Sequence, residues 1–342
     1  MKRVLIYAAL VLTEFCSAQD LHFSQILQSP TLLNPGAVGV YDGWERAIIH
    51  HRNQWLGGNT SFSSTSLSAD MTFLKNPQQN RAYIGTGLSF YNDVGGDARF
   101  GTQVAALTFS GVLPVGKKSL ISLGLQGGFG SRRGDISKLV FDSQWAGSMY
   151  DPLIASGENG GLRTFRYADV STGIFYQFGG GQNNFARDNK TKFQIGFSVY
   201  HVNQPKMRYT TGSTESLYRK YVGMVNYSRE IPNSLWMFEI QAAQFVQGPH
   251  SETIFGTVIR KRFHEATKIT GLSHDASIGF GAWMRLNDAI IPTVQLDYSD
   301  FRFALSYDYT VTKLRSGYSG GSVELSLTWI NRHDALFRKR YK

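Results

Sequence analysis

Hydrophobic and polar residues alternate one for one through the last part of the chain. From Phe301 to Val311 every odd position is apolar (Phe301, Phe303, Leu305, Tyr307, Tyr309, Val311), and the even positions are Arg302, Ala304, Ser306, Asp308 and Thr310. Successive side chains of a strand point to opposite faces, so this run has one apolar face and one small or polar face. The stretches on either side repeat it. Ile290, Pro292, Val294, Leu296 and Tyr298 alternate with Thr293, Gln295, Asp297 and Ser299, and Val323, Leu325, Leu327 and Trp329 alternate with Ser322, Glu324, Ser326 and Thr328. Three such strands joined by turns make an antiparallel meander.

The same period predicts strands over 44–53, 62–73, 82–91, 99–113 (with a bulge), 120–130, 167–178, 192–202, 220–230, 235–246, 252–263, 276–286, 290–298, 301–311 and 322–329, fourteen in all. In several of them glycine holds the non-apolar face, as where Ile84, Leu88 and Phe90 oppose Gly85, Gly87 and Ser89. A soluble sandwich alternates too. An export signal, 13% aromatic residues, 36 glycines and the lack of any sizeable helical segment favour an all-β transmembrane antiparallel β-barrel of about 14 strands, with aromatic girdles and a glycine-lined, polar interior. An even strand number puts both barrel ends on the periplasmic side. The long loops 131–166 and 203–219 then face outward, and the short turns 75–80, 114–118 and 231–234 face inward. Turns 179–191 and 264–275 are long for the periplasmic side.

Residues 1–18 read as a signal peptide, with Lys2 and Arg3, an apolar run from Val4 to Leu12, and Ser17-Ala18 before Gln19. That run is too short to span a bilayer as a helix, and no later stretch is long and apolar enough. The one cysteine, Cys16, falls inside the signal, so disulfides are not expected to staple the exported chain. Residues 19–43 form an irregular N-terminal segment with Pro30 and Pro35, tucked into the barrel as a plug or lying under it. The barrel follows over 44–330. Residues 331–342 are a basic tail carrying Arg332, Arg338, Lys339, Arg340 and Lys342. The formal net charge of +10 in an exported chain fits anionic outer-membrane lipid or acidic partners, and no nucleic-acid module is recognisable.

No constellation points to an enzyme, a cofactor or a metal. His50 and His51 are adjacent on a strand and so point to opposite faces, which rules them out as paired ligands. His22, His201, His250, His264 and His274 are scattered, and no nucleophile elbow of the GxSxG kind occurs. Arg133-Gly134-Asp135 and the sequons at Asn59 and Asn226 are short enough to arise by chance. Asp297, Asp308, Glu324, Arg285 and Arg302 are expected to face the lumen. A passive porin or solute transporter is the alternative function.

The segment Asp20-Leu21-His22-Phe23-Ser24-Gln25, with Ser29-Pro30, Leu33-Asn34-Pro35 and Gly39, resembles the N-terminal signature of the PorP/SprF family, outer-membrane proteins associated with type IX secretion in the Bacteroidetes. Residues 302–309 and 320–327 resemble that family's closing strands. The chain departs from the pattern at Gly36, where alanine is expected after Asn-Pro, and in the basic tail. The resemblance implies a non-enzymatic component of protein export and gliding, which receives or anchors the C-terminal domain of large secreted adhesins at the cell surface. It further implies the type IX translocon, an OmpA-like peptidoglycan-binding protein and periplasmic ring components as partners. External loops held in place by a rigid barrel make a protein-binding surface, and aromatic anchors carry such surfaces. The candidates are Trp145, Met149 and Tyr150 in one loop and Met207, Tyr209 and Tyr218 in the other.

Overall fold

The computed structural model describes residues 23–25, 28–54, 62–76, 79–96, 98–134, 139–147, 149–157, 164–179, 191–208, 215–264, 276–311, 321–332 and 335–336. In chain order its strands are β1 (Glu45–Gln54), β2 (Phe62–Phe73), β3 (Tyr83–Gly95), β4 (Phe100–Pro114), β5 (Ser119–Arg133), the two-residue β6 (Trp145–Ala146) and β7 (Met149–Tyr150), β8 (Phe165–Gly179), β9 (Thr191–Tyr200), β10 (Lys220–Glu230), β11 (Trp236–Gln247), β12 (His250–His264), β13 (Ala276–Arg285), β14 (Ala289–Tyr298), β15 (Phe301–Thr310) and β16 (Ser322–Asn331). Before β1 lie one turn of α-helix (Pro30–Leu33) and a 3-10 turn (Pro35–Ala37).

Fourteen of these strands form one closed antiparallel barrel in sequence order, in which β1 returns to pair with β16. The short β6 and β7 pair with each other in the excursion between β5 and β8. Closure leaves no bare sheet edge, which is the condition for strands to cross lipid. The strand boundaries fall within a few residues of those the alternation predicts. The expected bulge in β4 is corrected, because its ladders to β3 and β5 are continuous and the register shift lies in β12, between Arg262 and His264. What blurs the alternation in β4 is the apolar inward set Val104, Ala106 and Val112. Pro292 sits inside β14, and the ladder to β15 skips it, since proline has no N–H to donate.

The outward face is apolar. Leu123, Leu125, Leu305 and Leu325 are about half or more exposed around the wall, too continuous a band for a water-facing surface. Tyr298, Phe301, Trp329 and Trp236 mark the end of the barrel where the chain enters and leaves, and Tyr307, Tyr309 and Tyr221 mark the other end. These ends are called the terminal rim and the loop rim. The expected polar interior is found only in part. Ser66, Ser110, Ser122, Ser198, Gln295 and Glu324 point inward, but so do Ile48, Phe175, Ile254, Trp283 and Ile291, all nearly or fully excluded from solvent. They are apolar because the lumen is a packed core rather than a water column.

Candidate functional site

The described part of residues 23–43 fills that lumen. It rises from the terminal rim, where β1 begins, to Phe23 near the loop rim. At the bottom, Arg46 grips Asp70 through two bonds of 2.9 and 2.8 Å, and the same carboxylate accepts the Gly39 N–H at 2.8 Å. The Tyr41 hydroxyl lies 2.8 Å from the Trp44 carbonyl and 2.9 Å from that of Asp70, with the Arg46 guanidinium 4.4 Å above its ring. Burial and the Asp70 carboxylate hold this phenol protonated, well above its ordinary range.

Half-way up, the segment meets the glycine face of the wall. Gly85, Gly124, Gly173 and Gly196 come from β3, β5, β8 and β9. A Cβ on Gly124 would overlap the Pro35 carbonyl, one on Gly173 the Asn34 side chain, one on Gly85 would lie 2.6 Å from the Val38 oxygen, and one on Gly196 2.6 Å from Asn34 Nδ2. The period-two glycines are thus the seat for a second layer of backbone. The departure at Gly36 has the same cause, since a Cβ there would stand 2.8 Å from the Gly173 oxygen. Asn34-Pro35 is the pivot. Asn34 is extended, as a residue before proline must be, and its Oδ1 accepts the Gly36 N–H at 2.8 Å to start the 3-10 turn. Its Nδ2 donates to the carbonyls of Ile174 (2.9 Å) and Phe197 (3.3 Å). Wall hydroxyls satisfy the segment's own carbonyls: Tyr200 donates to Leu32, Ser198 to Leu33 and Ser110 to Val38.

Near the loop rim the segment ends in buried charge. The backbone N–H groups of Ser24 and Gln25 donate to the two oxygens of Glu324 at 2.6 and 2.9 Å. Gln25 Nε2 donates to the Glu324 carbonyl and to Ser306 Oγ, each at 3.0 Å. Ser24 Oγ bonds Asp308, which also pairs with Arg52 at 3.0 Å and Arg285 at 2.5 Å. His50 sits between Ser29 Oγ (2.7 Å) and Glu324 (3.3 Å), stacked at a tilt on Phe23. His51 points the other way, to Thr65. Arg52 and Arg285 share Asp308, Arg285 also pairs with Asp288 at 3.2 Å, and Glu324 is held by His50 and two backbone N–H groups, so each of these charges has a partner. Among the described residues no group of three histidine, cysteine or acidic side chains could hold a metal.

Of the N-terminal motif, Phe23, Ser24, Gln25, Asn34 and Pro35 therefore converge on the lumen wall, while Asp20 and His22 lie outside the described residues. Asp297, Asp308, Glu324, Arg285 and Arg302 all face inward, and Arg302 pairs with Asp297 at 2.6 Å. Asn226 of the second sequon bonds Gln194 inside the barrel. Arg46, His50 and Arg52 belong to the site, although the sequence marks neither arginine and raises His50 only as a metal ligand. Their period-two spacing in β1 is the available signal, but their partners lie on other strands.

At the loop rim the two candidate loops behave differently. The described residues of 141–156 fold on themselves: the Asp151 N–H donates to the Gln144 carbonyl, Gln144 Nε2 to the Ile154 carbonyl and Ser143 Oγ to the Ser156 carbonyl. This presents the β6–β7 hairpin with Trp145 against Tyr150, ring centroids 6.3 Å apart, Trp145 50% exposed and Met149 73% exposed. In the other loop Met207 packs against Phe165, Tyr167 and Leu217 instead of standing free, and Arg132 Nη1 lies 3.5 Å from its sulfur. Tyr218 is exposed, and Tyr209 lies outside the described residues.

Lys75, in the turn after β2, caps the terminal end. Its ammonium donates to the carbonyls of Tyr41 and Gly43, both at 2.8 Å. Burial is the main cause that brings its pKa down to about 8, with Lys192 and Arg46 adding to the effect and Asp42 opposing it. An unfolded lysine binds its proton up to about pH 10.4, so between about pH 8 and that value the unfolded chain holds more protons and Lys75's contribution to stability rises with pH. NMR titration of reductively methylated protein should show one dimethyl-lysine signal with a midpoint near 8 that disappears in Lys75→Arg. Uniform midpoints in the ordinary lysine range would refute this.

A closed fourteen-strand barrel with a continuous apolar belt and a sealed sheet is an integral outer-membrane protein. A family model described as type IX secretion system membrane protein PorP/SprF matches residues 15–329. The chain belongs to that family and is an outer-membrane component of type IX secretion. No curated protein matches it. Solved structures similar to it are outer-membrane barrels at low identity. The toluene transporter TodX of Pseudomonas putida is 8% identical with a TM-score of 0.46, over 89% of this chain and 93% of that one. BamA from Haemophilus ducreyi lacking POTRA domains 1–3 is 10% identical with a TM-score of 0.41, over 84% and 70%. The translocator domain of the autotransporter NalP from Neisseria meningitidis is 8% identical with a TM-score of 0.34, over 90% and 96%.

Proposed function

We propose that this protein is a non-catalytic docking platform of the type IX machinery. Its loop rim, on the outer face of the membrane, receives or anchors the C-terminal domain of large secreted adhesins, including those of gliding. The terminal rim meets the periplasmic side, where an OmpA-like peptidoglycan-binding protein and ring components are the partners that fit. The observation that carries this reading is the filled lumen. With the described part of residues 23–43 seated on the inner wall, the barrel has little room for a solute path, and its accessible chemistry lies at its ends. At the loop rim an aromatic hairpin that braces itself is held out from the wall, as a low-entropy anchor for a partner would be. A passive porin needs an open lumen and is disfavoured for the same reason.

The test is affinity capture from native membranes with the tagged full chain. The unaltered protein should retain an adhesin C-terminal domain together with a translocon subunit. Trp145→Ala combined with Met149→Ala should cut that retention by about tenfold or more, with the barrel still folded. Recovery of neither cargo domain nor translocon subunit by the unaltered protein would sink the proposal.

A further inference from the structure

Above the N-terminal segment, in the loop-side half of the lumen, lies a cavity of about 70 Å³. Phe23 and Leu33 of the segment form its floor, and Val104, Ala106, Val222 and Phe245 form its walls. Phe23, Leu33 and Val222 are all at most 3% exposed, so the apolar part of the site is deep and pre-formed. One cation reaches into it. The Lys220 ammonium stands over the Phe245 ring, 5.4 Å from its centroid, and among the described residues it makes no hydrogen bond or ion pair. The acids on the cavity wall are Asp169 and Glu252. Asp169 is held by His201 Nδ1 at 2.9 Å, and Glu252 lies in the fields of Arg285 first and of Lys220 second, so its charge is shared between two cations. A negative group entering the cavity is therefore directed to Lys220.

We infer that this cavity binds a small apolar carboxylate, with a branched aliphatic group against Phe23 and Val222 and the carboxylate on Lys220. The volume sets the size. It is less than half of the roughly 150 Å³ cavity that admits a benzene ring, so the apolar group it takes is a small one, such as isopropyl or isobutyl. Two sources share this chemistry: a free short-chain acid, or the C-terminal residue of a polypeptide ending in leucine or valine. The inference stands apart from the docking role proposed above.

Isothermal titration of the chain from Gln19 on, in lipid nanodiscs, tests it. Isovalerate should bind saturably with a Kd on the order of 1 mM, and isoamylamine, its cationic counterpart, should not. Lys220→Met should weaken isovalerate by about tenfold, the usual worth of a charge-assisted bond. Ala106→Leu, which fills the cavity, should abolish binding. Both variants should keep the heat-modifiable mobility of the folded barrel. A short peptide ending in leucine that binds more tightly than isovalerate, and loses this on C-terminal amidation, identifies the polypeptide as the source; weaker binding than isovalerate identifies the free acid. No saturable binding of either compound, equal binding of isoamylamine, or unchanged affinity in both folded variants would overturn the inference.

Discussion

Gly124→Val will push residues 34–36 off the barrel wall and cost at least about 2 kcal/mol of stability. The β-carbon at this position meets backbone, the Pro35 carbonyl and the Gly36 nitrogen at 2.5 Å, and not the yielding tip of a side chain. Both partners are fixed. Gly124 is locked in the ladders of β4 and β5 and of β5 and β8, and Pro35 is locked by the Asn34 bonds to two wall carbonyls. The clash therefore cannot relax locally, and the segment must leave. Gly111→Val is the control. Gly111 faces outward on the neighbouring strand, a Cβ added there would meet nothing within 4 Å, and a branched residue suits a lipid-facing strand. Thermal unfolding followed by heat-modifiable mobility, with hydrogen exchange over residues 29–40, should show lower stability and lost protection for Gly124→Val and neither change for Gly111→Val. Equal behaviour of the two variants would mean that the wall does not seat the segment.

Glu324→Gln should cost more, about 3–5 kcal/mol, the range for removing one partner from a buried charge network. Glu324 is fully buried and accepts two backbone N–H groups with its two oxygens. The amide keeps the shape but turns one acceptor into a donor facing an N–H. It also leaves Arg52 with Asp308, and Arg285 with Asp308 and Asp288, as carboxylate partners. The cluster then loses one of its negative charges beside two buried arginines. Residues 23–25 should be released first, seen as faster exchange there than at residues 36–40. Unchanged melting and exchange would show that the Glu324 bonds are replaceable by water.

The architecture is legible in the sequence because a period of two survives in nearly every strand. Phe301 to Val311 faces lipid residue by residue as the alternation says, and the glycine face of 82–91 does face the lumen. What the glycines face could not be read. Gly124 and Pro35 are far apart along the chain, and no local pattern links them. The same holds for Ser24 with Asp308 and for Gln25 with Glu324, where a motif recognisable as a motif had no visible partner. Inward Phe175, Ile254 and Trp283 broke the expectation of a polar interior because the segment supplies the apolar surface that lines them. The β6–β7 hairpin left no periodic trace, since two-residue strands are shorter than the run a pattern needs to show itself. Its aromatic composition did flag Trp145 and Tyr150.

Whether the chain closes its own lumen is decided by single-channel recording in planar bilayers, comparing the chain from Gln19 on with one lacking residues 19–43, both shown to be folded by heat-modifiable mobility. The intact chain should be silent and the shortened chain should carry a stable ion current. A steady current of the same size through the intact chain would mean that the lumen is open, and the closed docking platform would have to give way to a pore.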